Sequence, residues 1–423
     1  MSGPTPLGRR RVVVTGMGAV TPLGNDAATF WTNLVAGRSG LRTIESFDPG
    51  RLTSRMAGEV RDFDASGVLD RKELRRTDRF TQMSLVATRE AARQAGLPDR
   101  LEGALAEESG VFIGSGLGGT ATFFDQIGVF TTRGPDRLSP FFVPMAILNM
   151  AAGQAAISTG ALGPNLATVT ACASSGHAIG EAAETILRGD AELMFAGGSE
   201  ASVVEGLIGA FAAMRALSTR NDDPVGASRP FDHRRDGFVV AEGAATLVLE
   251  EATHAQRRGA RILAEVSGYG ASADAYHATL PAPGGSGAVR ASRRALAKAG
   301  VTPAEVDLVS AHATSTLEGD PAELACFRAL FGADASKVSI SAIKSAIGHT
   351  LGAAGAIAAV AAVGSILEGW VPPTLNLVEP DDRVGDLDCT PLTARQRDVR
   401  VALVNAFGFG GHNSALVLRR WEA

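Results

Sequence analysis

Cys172 lies in "LATVTACASSGHAIGEAAETIL" (166–187) and is one of only three cysteines in the chain. The run from Leu166 to Thr170 predicts a buried strand, while Ala178, Ile179, Ala182, Ala183, Ile186 and Leu187 recur with helical spacing. The thiol therefore falls at a strand-to-helix turn. Ser174 and Ser175 are expected to cap the helix start, and the small residues around the sulfur leave room for a second molecule. Partial positive charge at a helix N-terminus favours thiolate over thiol and makes sulfur a better nucleophile. A packed core cysteine fits the same residues, because free Cys is among the most buried residue types. The turn by itself leaves both readings open.

A catalytic thiol needs partners. Of the seven histidines, His312 in "VDLVSAHATSTLEGD" and His349 in "VSISAIKSAIGHTLGAAG" each follow a predicted strand and sit among small residues, where an α/β fold presents functional groups. His254 reads as solvated surface, His177 as packing on its own helix, and His233 as a polar-loop residue; His277 has no settled role. Lys344 stands five positions before His349 in an otherwise apolar or small stretch. A lysine there either pairs with a carboxylate or reaches a site.

One rival motif is present. "GSGLGG" at 114–119 fits G-x-G-x-x-G after a strand. The aromatic "TFFDQIGVF" follows it instead of a second strand ending in an acidic residue, so a nicotinamide site is disfavoured. No Walker sequence occurs, and neither the histidines nor the cysteines have metal-ligand spacing.

The elements that must hold these residues are legible in outline. The chain has 423 residues, 45% of them hydrophobic, enough for a large core. A net charge of -5 argues against a nucleic-acid protein but allows a local basic patch for an acidic partner. Three widely spaced cysteines make no disulfide framework and fit a reducing, cytoplasmic setting. The N-terminal "MSGPTPLGRRRVVVTGMG" reads as a short polar tail leading into a strand, neither signal peptide nor transit sequence. The uncharged "LGAAGAIAAVAAVGSIL" (351–367) is too Ala- and Gly-rich for a membrane span and is expected to be a helix buried on all sides.

Gly-punctuated β-branched runs alternate with Ala-rich helical segments along the chain, the pattern of an α/β protein with buried sheets. The pattern occurs twice. "RRVVVTGMGAVT" and "RILAEVSGYGAS" read as two opening strands, and "GFVVAEGAATLVLEEA" and "GFGGHNSALVLRRWEA" as two closing ones. Two similar halves, 1–255 with the cysteine and 256–423 with His312 and His349, are expected to pack as one body with a site along their seam.

"TACASSGHAIG", "SAHATSTLEGDPAE", "KSAIGHTLGAAG" and "NAFGFGGHN", with "MRALSTRND" and "SRPFDHRRDGFVVAEGA" between them, closely resemble the β-ketoacyl-acyl-carrier-protein synthases, nearest to the elongating type II condensing enzyme of bacterial dissociated systems. The resemblance covers essentially the whole chain. It implies a thiolase-like fold of five alternating layers, αβαβα, built from two duplicated βαβαβαββ halves, usually as a homodimer. It also implies decarboxylative condensation of an acyl group with malonyl-ACP in fatty-acid elongation, with acyl-ACP as the other substrate, acyl carrier protein as partner, and no metal or organic cofactor. No nucleic acid or membrane is expected.

Carried over residue by residue, Cys172 matches the acyl-accepting nucleophile, and His312 and His349 the pair that promotes malonyl decarboxylation. Lys344 matches the nearby lysine, with Glu323 as its expected carboxylate partner and Asp320 supporting. Phe409 resembles a gate, its N–H forming an oxyanion hole with that of Cys172. Thr314 and Thr316 match hydroxyls that hold the phosphopantetheine arm, with Phe211 and Leu117 also lining substrate. Lys72, Arg76 and Arg215 resemble the basic positions that receive the acidic carrier.

The chain departs from the family pattern at three places. Ala313 replaces a glycine, and its methyl group is expected to intrude near the substrate channel. His412 follows the Phe-Gly-Phe-Gly-Gly run where threonine is common, and Asp136 stands where a basic residue is common. Ketosynthases of type II polyketide systems carry the same motifs. Catalytically silent chain-length factors resemble the family but lack the cysteine.

Overall fold

Ten strands make one mixed sheet in the computed structural model, which describes residues 10–422. In chain order they are β1 (Val12–Val20), β2 (Ser109–Gly114), β3 (Asn165–Leu166), β4 (Leu193–Glu200), β5 (Gly243–Glu251), β6 (Ala264–Ala273), β7 (Leu308–Ser310), β8 (Ser339–Ser341), β9 (Val401–Gly408) and β10 (His412–Arg419). Their spatial order is β8-β7-β9-β10-β6-β1-β5-β4-β2-β3. Read outward from the centre, β6, β10, β9, β7 and β8 repeat the arrangement of β1, β5, β4, β2 and β3.

Pairing sense repeats as well. β2 runs parallel to β3 and β4, while β5 is antiparallel to β4 and β1. In the second half β7 runs parallel to β8 and β9, while β10 is antiparallel to β9 and β6. The halves join through two residue pairs, Val13 with Glu265 and Val14 with Ala264.

Seven helices complete the layers: α1 (Arg79–Gln94), α2 (Thr120–Arg133), α3 (Met150–Thr159), α4 (Ser174–Arg188), α5 (Ser286–Ala299), α6 (Gly319–Phe331) and α7 (Ala354–Glu368). α1 and α3 cover the outside of the first half, and α5 and α6 that of the second. α4 and α7 touch strands of both halves and each other, forming the middle layer. This is the five-layered, duplicated α/β architecture that the resemblance implies.

The opening strands explain the close fit of the outer helices. A Cβ on Gly16 or Gly18 of β1 would lie 2.1 Å from the carbonyl oxygens of Ala91 or Ala87 in α1. The equivalent Gly268 and Gly270 of β6 would meet Ala295 and Ala291 of α5 at 2.2 and 2.0 Å. Glycine at these four positions lets helix backbone rest on strand backbone. The same device recurs in "TGMG" and "SGYG".

The uncharged stretch is helix as expected. A 3₁₀ turn, Leu351–Ala353, leads into α7, which is buried from Ala354 to Ile366. Among the described residues it is the one helix long and apolar enough to cross a membrane, and it fills the core instead.

The run 166–170 corrects an expectation. Pairing there stops at Leu166, on the short edge strand β3, and Leu166 and Val169 are 56% and 53% exposed. β-Branched residues fit the edge of a sheet as well as its middle. Residues 1–9, with the polar tail, lie outside the described residues.

Candidate active site

The turn predicted before α4 is tighter than a simple strand–helix junction. Cys172 occupies a 3₁₀ turn, Ala171–Ala173, entered through Ala171 at φ +50°. A left-handed alanine costs on the order of 1 kcal/mol and persists only where its surroundings hold it. Gly408 permits close approach, since a Cβ there would lie 3.1 Å from the Cys172 nitrogen. The backbone N–H groups of Cys172 and Phe409 both hydrogen-bond toward the sulfur.

The serines do not cap α4. Ser174 Oγ donates to Ala171 O at 2.6 Å and accepts from Thr170 N, while Ser175 Oγ accepts from Ala356 N of α7 at 2.9 Å. Burial dominates the thiol, which is pushed up to about 12 despite opposing attraction from Lys344. Burial and the helix-end effect thus act on the sulfur in opposite directions.

His349 Nε2 lies 3.1 Å from Cys172 Sγ. Its backbone is pinned on both sides, with its N–H donating to Val239 O at 2.8 Å and its carbonyl accepting from Ala241 N at 3.0 Å. The His312 ring stands nearly perpendicular to that of His349, centroids 5.5 Å apart, and Phe238 and Phe407 support the two rings at 5.4 Å. Burial, reinforced by Lys344, holds both imidazoles well below their ordinary range. Both are neutral near pH 7, and each can present one N–H.

Glu323 does not form the expected ion pair. Its carboxylate accepts the backbone N–H groups of His312 and Ala313 at 2.8 and 2.6 Å, so it clamps the histidine's turn. Lys344 is 3% exposed and interacts with Glu323 at longer range; burial pushes the lysine down and the carboxyl up, and their attraction opposes both shifts. Asp320 supports the same loop, accepting from Ser315 N at 3.0 Å and from Phe231 N at 2.8 Å.

The methyl of Ala313 does not enter a channel. Ala313 is 1% exposed and belongs to the same buried apolar cluster as Leu324 and Phe327. The substitution instead leaves a non-glycine residue at φ +25° beside His312.

Thr314 and Thr316 lie together, their hydroxyls 3.2 Å apart. Phe211 packs edge-on against Phe238, in the cluster that contains Cys172. Leu117 is 39% exposed. Phe409 occupies a turn whose next residues, Gly410 and Gly411, have φ of +84° and +74°. That turn is tied to the 274–278 segment through Gly410 N to Ala278 O and Asp274 N to Gly411 O.

Lys72, Arg76 and Arg215 are exposed. Arg76 also stacks over Phe141 at 4.4 Å, so only part of its character is free charge. Asp136 is exposed, and His412 opens β10. His254 is not simply solvated surface: its Nδ1 lies 2.8 Å from the buried Glu250 carboxylate. His177 is buried against the Tyr269 hydroxyl at 2.7 Å. His277 accepts backbone N–H groups of Thr279 and Leu280 in its own turn.

Sequence reasoning passed over Glu200. This carboxylate is fully buried and accepts from Gly116 N, Leu117 N, Ser115 Oγ and Gly352 N at 2.7–3.0 Å. The "GSGLGG" loop thus closes around an internal carboxyl, which burial pushes up against the pull of its four donors. A lone acid in the otherwise uncharged "LMFAGGSEASVV" was the available signal, the same one that singled out Lys344.

Among the cysteines Cys172 is 9% exposed, against 0% for Cys326 and 2% for Cys389. Brief iodoacetamide treatment followed by peptide mapping is therefore expected to label Cys172 on the order of tenfold more than either, through access and the His349 contact, since burial pushes all three thiols up. Equal labelling would remove the distinction.

The chain matches the β-ketoacyl synthase N-terminal domain over residues 9–255 and the C-terminal domain over 263–378. It is 46% identical to a 3-oxoacyl-[acyl-carrier-protein] synthase 2 of Synechocystis sp. over 98% of this chain and 99% of the relative. A protein of the same name from Staphylococcus aureus is 47% identical over the same shares. Among solved structures, a β-ketoacyl synthase from Burkholderia phymatum superposes with a TM-score of 0.91 at 36% identity, covering 98% of this chain and all of that one. A type II polyketide acyl-carrier protein in complex with its ketosynthase gives 0.89 at 34% identity, over 98% and 100% of the chains. Matched from end to end in sequence and architecture, the chain belongs to the β-ketoacyl synthase family.

Proposed function

We propose that the protein is a condensing acyltransferase, a 3-oxoacyl-acyl-carrier-protein synthase that extends an acyl chain by two carbons from malonyl-ACP in fatty-acid elongation. The observation that carries this reading is one thiol, 3.1 Å from a neutral imidazole, with a second imidazole beyond it and two backbone N–H groups aimed at the sulfur.

Acyl transfer comes first. Cys172 sulfur attacks the carrier thioester carbonyl as its proton passes to His349, and the N–H groups of Cys172 and Phe409 hold the oxyanion. Collapse expels the carrier thiolate, which takes the proton. Malonyl thioester then binds with its carbonyl oxygen between His312 and His349. Loss of carbon dioxide leaves the electron pair on an enolate, which the two imidazole N–H donors stabilise, aided by the nearby Lys344 charge. The enolate carbon attacks the acyl-Cys172 carbonyl, and the Cys172 thiolate leaves and takes up a proton from solvent by way of His349, since the original proton left with the carrier thiol. Carbon dioxide loss supplies the nucleophile and the thioesters supply the electrophiles, so the proposed chemistry needs no metal or organic cofactor. Thr314 and Thr316 are assigned to the phosphopantetheine arm, and Phe211 and Leu117 to the acyl side.

Fatty-acid elongation is favoured by the relatives at 46–47% identity, which exceed the 33–34% of ketosynthase structures from polyketide systems. Purified protein given acyl-ACP and malonyl-ACP is expected to yield 3-oxoacyl-ACP and one equivalent of carbon dioxide. Product only with a polyketide chain-length factor added would move the reading to the polyketide systems.

The acidic carrier is proposed to dock near Lys72, Arg76 and Arg215. Arg215→Glu is expected to raise the apparent KM for carrier-bound substrate about three- to tenfold and to flatten its salt dependence, with small acyl thioesters unaffected. Losses of equal size with both substrates would place the defect elsewhere. Arg215 is a cleaner probe than Arg76, which also packs on Phe141.

A homodimer is proposed from the open β3 edge. Leu162, Leu166 and Val169 are exposed there, as are Phe123, Ile127 and Phe130 of α2. Exposed apolar surface on that scale beside an unpaired strand suits a second copy. Light scattering should return twice the 43.5 kDa chain mass, and a monomer at micromolar concentration would refute it. Cytoplasmic residence is proposed from three free cysteines.

A further inference from the structure

Glu200 ends β4 at the centre of the molecule, and its carboxylate faces two segments that flank the thiol. One is the 115–117 loop. Ser115 Oγ and Leu117 N donate to Oε1 at 2.9 and 3.0 Å, and Gly116 N to Oε2 at 2.7 Å. The other is the turn after His349, where Gly352 N donates to Oε2 at 2.9 Å. The 115–117 loop touches the cysteine's turn, since a Cβ on Gly116 would lie 3.6 Å from Ala171 O, and Gly352 packs tightly on that loop, where a Cβ would lie 2.4 Å from Gly116 N. Ser115 Oγ also accepts from Gly118 N at 3.0 Å, which extends the clamp along the loop.

Four donors on one carboxylate satisfy a buried anion in a way that a neutral side chain cannot copy. An amide would turn its NH₂ group toward N–H donors. We propose that Glu200 is a positioning residue: its carboxylate binds the loop carrying Leu117 to the turn following His349.

The groups facing the sulfur divide by sign. Lys344 favours thiolate and Glu200 opposes it, while His349 at 3.1 Å and His312 beyond are neutral. As a carboxylate Glu200 therefore also acts on the sulfur through its charge, in the same direction as burial, and burial pushes its own carboxyl up against the pull of its four donors. Glu323 stands farther off, engaged with the His312 turn.

Two substitutions separate charge from geometry. Glu200→Gln is expected to move the pH inflection of Cys172 iodoacetamide labelling to lower pH and to raise labelling at pH 8 about three- to tenfold. Glu200→Asp keeps the charge on a side chain one methylene shorter, too short to span both segments. Its labelling inflection should stay near that of the native protein, while the ratio of acylation rates with short and long acyl-ACP shifts about threefold or more. The second readout rests on the proposed function; the first needs neither carrier protein nor condensation, so the two can fail separately. A Glu200→Gln protein that is less heat-stable but keeps the native labelling inflection overturns the charge role. A Glu200→Asp protein with the native acyl-length ratio overturns the positioning role. If Glu200→Gln does not fold, the Asp variant decides the positioning role by itself.

Discussion

His312→Ala is expected to slow malonyl decarboxylation about 100- to 1000-fold while leaving acylation of Cys172 within about threefold of the native rate. The asymmetry follows from placement. His312 stands beyond the His349 ring, 5.5 Å away centroid to centroid, so the acyl-transfer step keeps its thiol, its neighbouring base and its two N–H donors. What is lost is one of two donors to the enolate oxygen, in a buried site where no water replaces it at once. Release of labelled carbon dioxide and intact-mass detection of the acyl adduct read the steps apart. His349→Ala should depress both steps, because His349 alone contacts the thiol. A His312→Ala protein that decarboxylates at the native rate would refute the assigned chemistry while leaving the family intact.

Cys172→Gln should do the reverse. Acylation falls to zero, since no sulfur remains to form the thioester, yet malonyl-ACP continues to lose carbon dioxide. Gln is longer than Cys, but its amide oxygen can accept from the N–H groups of position 172 itself and of Phe409. The two imidazoles stay in place, because Val239 and Ala241 hold the His349 backbone and Glu323 holds that of His312. The acetyl product can then leave without condensing. An acyl adduct persisting in this variant would locate the nucleophile elsewhere.

The parts of this site carried by local pattern were legible in the sequence. A small-residue turn before a helix, two histidines after strands, and a lysine in apolar surroundings all survive as geometry, because backbone path dictates where such residues emerge. The repeated opening strands were legible too, since their glycines answer to one packing requirement in both halves. What local pattern could not supply was partnership across the chain. Glu323 sits eleven positions after His312, and nothing in its type says whether it meets the lysine amine or two backbone N–H groups. Ala313 was expected to crowd a channel, because sequence fixes the presence of a methyl and not its direction; a left-handed φ turns it into the core. The Leu166–Thr170 run looked buried because an edge strand that awaits a neighbour has the composition of one that already has it. The thiol's surroundings were half legible for a related reason: a helix end is visible in sequence, but the burial that opposes it is a property of the whole fold.

Ala171 and Leu351 open matching 3₁₀ turns, at φ +50° and +45°, before the two middle helices. Under the internal duplication the counterpart of Cys172 is therefore Gly352. Its N–H serves Glu200, and a side chain there would strike Gly116 N at 2.4 Å and the Glu200 carboxylate at 2.7 Å. Two elbows thus share one lineage of shape but not one fate. The second is filled by the Glu200 clamp, so a sulfur at position 352 would have to displace it, and the chain has room for an acyl load at one elbow only.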